Sequence, residues 1–254
     1  MSLVQADLAW ADPTANHHHL EELLAPLAGS TDLVILPEMF ATGFTMEPEH
    51  HAEPADGPSL AWMRRQAARL GAVITGSLAV SEQGRHRNRL YWVRPDGSTE
   101  HYDKRHCFRM AGEHEHYAPG QRRLIVELLG WRVCPLICYD LRFPVWSRNH
   151  DDYDLLLYVA NWPAVRRTGW QRLLPARAIE NLAVVVGVNR VGSDGNDRDY
   201  AGDSVALDWL GDPLAECASA EAVRTVTLDP ARLQRFRERF PAHLDADAFT
   251  LTGD

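Results

Sequence analysis

The sequence has no surplus of basic residues: 26 Lys and Arg stand against 35 Asp and Glu, a net charge of −9 over 254 residues. Nucleic acid and acidic membrane surfaces both need a basic face, so neither is expected as a partner. Cysteine is scarce as well. Cys107, Cys134, Cys138 and Cys217 are too few and too scattered for a disulfide framework in a chain of this length. No segment approaches transmembrane length, and Met1 to Asp7 carries no basic region ahead of a long apolar stretch. A reducing cytoplasm is therefore the expected compartment. No linker, repeat or low-complexity stretch interrupts the chain. The expectation is one domain over residues 1–254, with a tail from about 240 to 254 that packs on a partner subunit.

Apolar residues make up 45% of the chain, the ordinary share for a globular protein. Strand-like and helix-like segments alternate almost to the end. Leu3 to Trp10 reads as a strand, and Asn16 to Leu27 as an amphipathic helix with Leu20, Leu23, Leu24 and Leu27 on one face. Leu33 to Leu36 is a short buried strand ended by Pro37, and Ser59 to Leu70 a second helix stopped by Gly71. Ala72 to Val80, Arg87 to Val93 and Ser98 to Tyr102, with turn residues between them, predict an antiparallel meander. A long polar loop runs from Lys104 to Gln121, and loops of that length in compact domains tend to carry function. Leu124 to Leu129 pairs with Trp131 to Cys138 across Gly130. Asp154 to Ala160 and Ala183 to Asn189 are buried strands around a helix ending at Asn181, and Val191 to Asp203 is a Gly/Asp-rich loop. Two or three short strands, over Ser204 to Trp209, Leu214 to Ala218 and Ala222 to Thr227, and a charged helix over Pro230 to Arg239 follow. Mixed sheets covered by helices, an α/β architecture, are the fold class this predicts.

Three strand ends deliver reactive side chains: Glu38, Lys104 and Cys138. Each alone has a dull explanation. Glu38 fits a helix cap or a solvated face, Lys104 a surface lysine, and Cys138 a core thiol, since free cysteine is among the most buried residue types. The combination is chemically pointed. A carboxylate beside a thiol can take its proton and later pass it to a leaving amine. An ammonium beside both stabilises the thiolate and the oxyanion of a tetrahedral intermediate. The Tyr139 N–H is a second oxyanion donor if the turn resembles a nucleophile elbow, and a helix opening after Cys138 favours the thiolate.

The segments around these residues resemble the motifs of the carbon–nitrogen hydrolase (nitrilase) superfamily. Leu36-Pro37-Glu38-Met39-Phe40 with Thr42-Gly43-Phe44 is similar to its glutamate motif, and Tyr102-Asp103-Lys104-Arg105-His106 to its lysine motif. Ile137-Cys138-Tyr139-Asp140-Leu141-Arg142-Phe143-Pro144 is similar to its cysteine motif. Ala176 to Asn181, Asn189 to Gly192 and Tyr200 to Ser204 match further landmarks, so the resemblance covers nearly the whole chain. It implies a four-layer α-β-β-α sandwich of two mixed sheets flanked by helices, assembled as a homodimer or homotetramer. It also implies Glu38 as general base, Lys104 as oxyanion stabiliser and Cys138 as nucleophile, with no metal or other cofactor. The family's second glutamate falls best on Glu113, with Glu115 as competitor. Pro175 departs from the pattern, because proline inside a helix predicts a restart or a kink there.

Asn161-Trp162-Pro163, Trp170, Val191 to Asn196 and Met110 to Tyr117 are similar to the bacterial omega-amidase branch. The implied reaction is hydrolysis of the terminal amide of 2-oxoglutaramate or 2-oxosuccinamate, with water as the second substrate. Such a substrate carries a carboxylate, which calls for a cation. Arg109, Arg142 and Arg166 lie near the motifs, and Trp162, Phe44 and Tyr139 are candidate pocket walls, although all have structural readings too. A nitrilase, an N-carbamoyl amino acid amidohydrolase and a deaminated-glutathione amidase stay open within the family. Outside it, His101, His106, His114 and His116 invite a metal-site reading, but their spacing matches no standard zinc pattern. A scaffold protein keeping the fold without catalysis is expected to have lost one of Glu38, Lys104 and Cys138.

Overall fold

The computed structural model describes residues 1–251, so the tail expected over 240–254 ends outside the described residues. Two sheets carry the molecule. The first is seven-stranded, in the order Ala222–Thr225, Ser2–Gln5, Leu33–Ile35, Val73–Glu82, Arg85–Val93 and Thr99–Asp103, with Glu53–Pro54 pairing alongside Val73–Glu82. The second has six strands, in the order Pro213–Glu216, Val205–Leu207, Val184–Asn189, Leu155–Ala160, Trp131–Ile137 and Val126–Leu128.

Period-2 alternation assigns each strand two faces. In the first sheet Leu3, Leu33, Ile35 and Val73 join the cluster that contains the second sheet's Val133, Leu136 and Val159. Their neighbours Val4, Val34, Leu36 and Ile74 face outward onto Leu20 and Leu24 of helix Pro13–Leu24 and Trp62 and Met63 of helix Pro58–Leu70. On the far side, Trp170, Leu174 and Ala178 of helix Arg167–Asn181 cover the second sheet. The layers are thus helix, sheet, sheet, helix. This is the expected α-β-β-α sandwich. The middle strands of both sheets are parallel: Ser2–Gln5, Leu33–Ile35 and Val73–Glu82 in one, Trp131–Ile137, Leu155–Ala160 and Val184–Asn189 in the other. Their carboxyl ends open toward a common crevice, where ligands collect in such sheets.

Several expectations need correction. The strand read over Leu3 to Trp10 stops at Gln5, because the chain then leaves the sheet to bridge Asp7 to Val191. Val191 to Asp203 is no loose loop: Val191–Ser193 and Asp199–Ala201 pair as a hairpin. The polar stretch after Lys104 contains two short turns of helix, Arg109–Ala111 and Glu113–His116. Ala222–Thr225 joins the first sheet, antiparallel to Ser2–Gln5. Helix Arg167–Asn181 passes through Pro175 without restarting, so the missing N–H costs one backbone bond inside a continuous helix.

Candidate active site

Backbone geometry delivers the three side chains. Beyond Leu33–Ile35, Met39 takes a left-handed turn, with φ 43°, and its N–H donates to Ser77 Oγ at 2.9 Å. That pins Glu38 at the strand's end. Lys104 follows Thr99–Asp103, and its N–H donates to Asn88 O at 2.9 Å. Cys138 follows Trp131–Ile137 and also sits in the left-handed region, with φ 45°. A non-glycine residue persists there only when its surroundings hold it. Asp140 does the holding. Its Oδ2 accepts the Ile137 N–H at 3.1 Å and the Tyr102 hydroxyl at 2.7 Å, and its Oδ1 accepts the His106 N–H at 3.0 Å. The cysteine turn of one sheet is thereby tied to the lysine segment of the other. The helix that opens after the strand is a five-residue 3-10 helix, Cys138–Arg142, followed by the short α-helix Pro144–Ser147.

The side chains meet in one buried cluster. Lys104 Nζ donates to Glu38 Oε1 at 2.8 Å and lies 2.9 Å from both carboxylate oxygens of Glu113. Asn88 Nδ2 donates to Glu38 Oε1 at 2.7 Å and to Glu113 Oε1 at 3.2 Å. The Asn161 N–H donates to Glu38 Oε2 at 2.8 Å, and the Asn161 side chain to the Glu38 carbonyl at 2.6 Å. Glu38 and Glu113 are fully buried, Lys104 is 1% exposed and Cys138 8%. Burial pulls the Lys104 ammonium down, but Glu113 and Glu38 outweigh it and hold its pKa well above the usual lysine value. Burial pushes the Glu113 carboxyl up, against the pull of Lys104. Burial and then the Glu38 charge raise the Cys138 thiol well above its usual range, with Lys104 opposing. Burial and the Glu38 charge both favour the thiol form of Cys138, the form on which a general base such as Glu38 would act. Its Sγ lies 3.9 Å from the Asn161 carbonyl.

A cleft opens on Cys138. Phe44, Tyr139, Arg142, Trp162, Arg166 and Tyr200 line it. Lys104 Nζ lies 5.1 Å above the Phe44 ring, and Arg142 stacks 4.9 Å above Trp162. Arg109 is exposed and is not part of this wall; of its turn only Ala111 lines the cleft, with Phe108 just before it. Glu113 lies in the cluster, whereas Glu115 points away, its side chain 70% exposed near His114. Of the loop histidines, His106 pairs with Asp140, His114 with Glu115 and His116 with Glu49. Among the described residues no group of three His, Cys, Asp or Glu is arranged to hold a metal ion. Asn88 and Asp140 were missed as site residues. Asn88 left one trace in the sequence, a residue of low strand propensity inside Arg85–Val93.

The family model for carbon-nitrogen hydrolase matches residues 1–238. Omega-amidase YafV of Yersinia enterocolitica is 50% identical over 252 residues, covering 99% of this chain and 98% of its own. 2-Oxoglutaramate amidase of Bacillus subtilis is 32% identical, covering 96% of each. Among solved structures, a carbon–nitrogen hydrolase superfamily protein of Xanthomonas campestris, carrying an arsenic adduct in its active site, superposes with a TM-score of 0.97. It is 53% identical and covers 99% of this chain and 98% of its own. The match over nearly the full length, on a fold that brings the three motifs to one crevice, makes this chain a member of the carbon–nitrogen hydrolase family.

Proposed function

We propose that the protein is an omega-amidase: it hydrolyses the terminal amide of 2-oxoglutaramate, or of 2-oxosuccinamate, to the dicarboxylate and ammonia through a cysteine thioester. One observation carries the reading, a Lys104 ammonium buried between the Glu38 and Glu113 carboxylates, with Cys138 lining the cleft. The similarity to an omega-amidase and a 2-oxoglutaramate amidase supports the substrate class.

In the proposed mechanism Glu38 takes the Sγ proton as the sulfur attacks the amide carbon. The carbonyl oxygen gains the charge and is met by Lys104 Nζ and the Tyr139 N–H. Lys104 has three N–H groups. With one on Glu38 and one shared between the Glu113 oxygens, the third serves the oxyanion. Glu113 therefore orients the lysine. Protonated Glu38 gives its proton to the departing nitrogen, the C–N bond breaks and ammonia leaves. The same carboxylate then deprotonates a water, which attacks the thioester and returns the thiol. No cofactor enters this scheme. Tyr139, Trp162, Phe44 and Arg142 form the substrate walls. We further propose a single domain that acts as a homodimer or homotetramer in the cytoplasm, its tail packing on the partner.

Ammonia release from 2-oxoglutaramate, measured beside an aliphatic nitrile, an N-carbamoyl amino acid and deaminated glutathione, tests the reading. The expected result is a kcat/KM at least about a hundredfold higher for 2-oxoglutaramate. A higher value for any of the other three contradicts it.

A further inference from the structure

Asn16, Asn149, Asn181 and Asn189 are buried, and each uses both ends of its side-chain amide. Asn189 Oδ1, for example, accepts the Trp162 N–H at 2.8 Å while its Nδ2 donates to Gly202 O at 2.9 Å. Asn88 and Asn161 are buried too, but in both of them Oδ1 meets no donor among the described residues. A buried acceptor left unpaired is destabilising. These are the two asparagines that grip Glu38, whose carboxylate and carbonyl oxygens can only accept. Both amides are committed to donating.

The donors on Glu38 divide unevenly between its two carboxylate oxygens. Oε1 receives Lys104 Nζ at 2.8 Å and Asn88 Nδ2 at 2.7 Å, which occupies both of its lone pairs. Oε2 receives the Asn161 N–H alone among the described residues, at 2.8 Å, and keeps one lone pair free. The Asn161 side chain meanwhile donates to the Glu38 carbonyl at 2.6 Å. One residue thus holds both the main chain and the carboxylate of Glu38. It reaches across from the other sheet. Asn161 follows strand Leu155–Ala160, which runs parallel to Trp131–Ile137 with Val159 beside Ile137. That register brings the residues after the two strands side by side, and the Asn161 carbonyl lies 3.9 Å from Cys138 Sγ.

We propose that Asn161 is a positioning residue for the general base, turning Glu38 so that the free lone pair of Oε2 faces the Cys138 thiol. This assignment rests on the omega-amidase reading and deepens it. The S–H proton passes to Oε2 as sulfur bonds to the amide carbon, and that proton goes to the departing nitrogen as the C–N bond breaks. Oε1 stays on Lys104 throughout, so the proton transfers leave the lysine in place beside the oxyanion. The Asn161 backbone N–H survives any change of side chain, but the grip on the Glu38 carbonyl does not. Losing it frees the main chain that carries the base, and a displacement of about 1 Å is enough to slow the chemistry about 10²-fold.

The test compares 2-oxoglutaramate with the ester that carries 4-nitrophenolate in place of its amide nitrogen. Ammonia must gain a proton as it leaves, whereas 4-nitrophenolate departs as the anion, so only the amide needs Glu38 as an acid. The quantity read is kcat/KM, which covers the steps up to loss of the leaving group. Asn161→Ala and Asn161→Leu both remove the donor, one opening a space and the other filling it. Both are expected to lower the amide value about 10²-fold and the ester value no more than about tenfold. Equal losses on amide and ester overturn the assignment and leave Asn161 as a brace for the whole cleft. An undiminished amide value in either variant overturns it too, since the effect then follows volume and not the lost donor. Failure of both variants to fold also overturns it, by assigning Asn161 to the fold alone. A wild-type protein inert on 2-oxoglutaramate sinks the omega-amidase reading itself, and that is known before any variant is made.

Discussion

Glu38, Glu113 and Lys104 place two carboxylates on one ammonium with no water between them. Removing the ammonium leaves the carboxylates buried and unpaired. Lys104→Met should therefore abolish turnover and also destabilise the fold by about 3–5 kcal/mol, read from chemical denaturation. Glu113→Gln keeps the shape and one acceptor but lets Lys104 drift. It should lower kcat by about 10²-fold with little change in melting temperature. Asn88 bridges the two carboxylates through one amide nitrogen. Asn88→Ala should cost about 1–3 kcal/mol and a larger share of kcat than of KM, checked by denaturation and steady-state kinetics. These contacts differ in how legible they were. Glu38, Lys104 and Cys138 each follow a recognisable strand inside a motif. Asn88 is one polar residue in a strand, and nothing in its neighbours says that the pleat turns it inward. Arg109 and Arg166 were equal on paper, because spacing along a loop does not encode which way a long side chain points.

At the scale of elements, the two sheets must keep register for the site to exist. Cys138 hangs from one and Glu38 and Lys104 from the other. Asp140 is the tie between them, and it also holds the strained turn at Cys138. Asp140→Ala should cut kcat by more than about tenfold and release the cysteine turn, seen as faster hydrogen exchange at Ile137 to Leu141. Retained kcat with a merely lowered melting point contradicts the positioning role. The helices and the parallel core strands were legible, since apolar periodicity and Gly71 or Pro37 mark them directly. The Val191–Ser193 hairpin was not, because its Gly/Asp-rich residues read as loop while the bond from the Val191 N–H to Ala6 O anchors it from a distance. Pro175 likewise sits in a helix that packing keeps continuous, overriding local preference.

At the scale of the whole molecule, buried thiols make stability depend on alkaline pH. Burial pushes Cys134 and Cys107 each up to about 12, from an ordinary value of 9.0. Between those values the folded chain holds protons that the unfolded chain has lost. Their contribution is therefore intact below pH 9 and is lost as pH rises toward 12. The melting temperature should fall across this window, and Cys134→Ala should flatten the fall. An unchanged slope in that variant contradicts the assignment. Val145 on the short helix Pro144–Ser147, Val165 on the 3-10 turn Ala164–Arg166 and Ile179 on helix Arg167–Asn181 stand exposed. The proposed assembly accounts for such apolar surface, and sedimentation at micromolar concentration should show a dimer or tetramer. A monomer at that concentration contradicts the assembly.

The most direct test of the central claim is the mass of the whole protein during turnover. Quenched in acid while hydrolysing 2-oxoglutaramate, it should carry one acyl group, and peptide mapping should put that group on Cys138. Cys138→Ala should be folded, unacylated and inactive. An acyl group on Cys107, Cys134 or Cys217, or ammonia release by Cys138→Ala, contradicts the account.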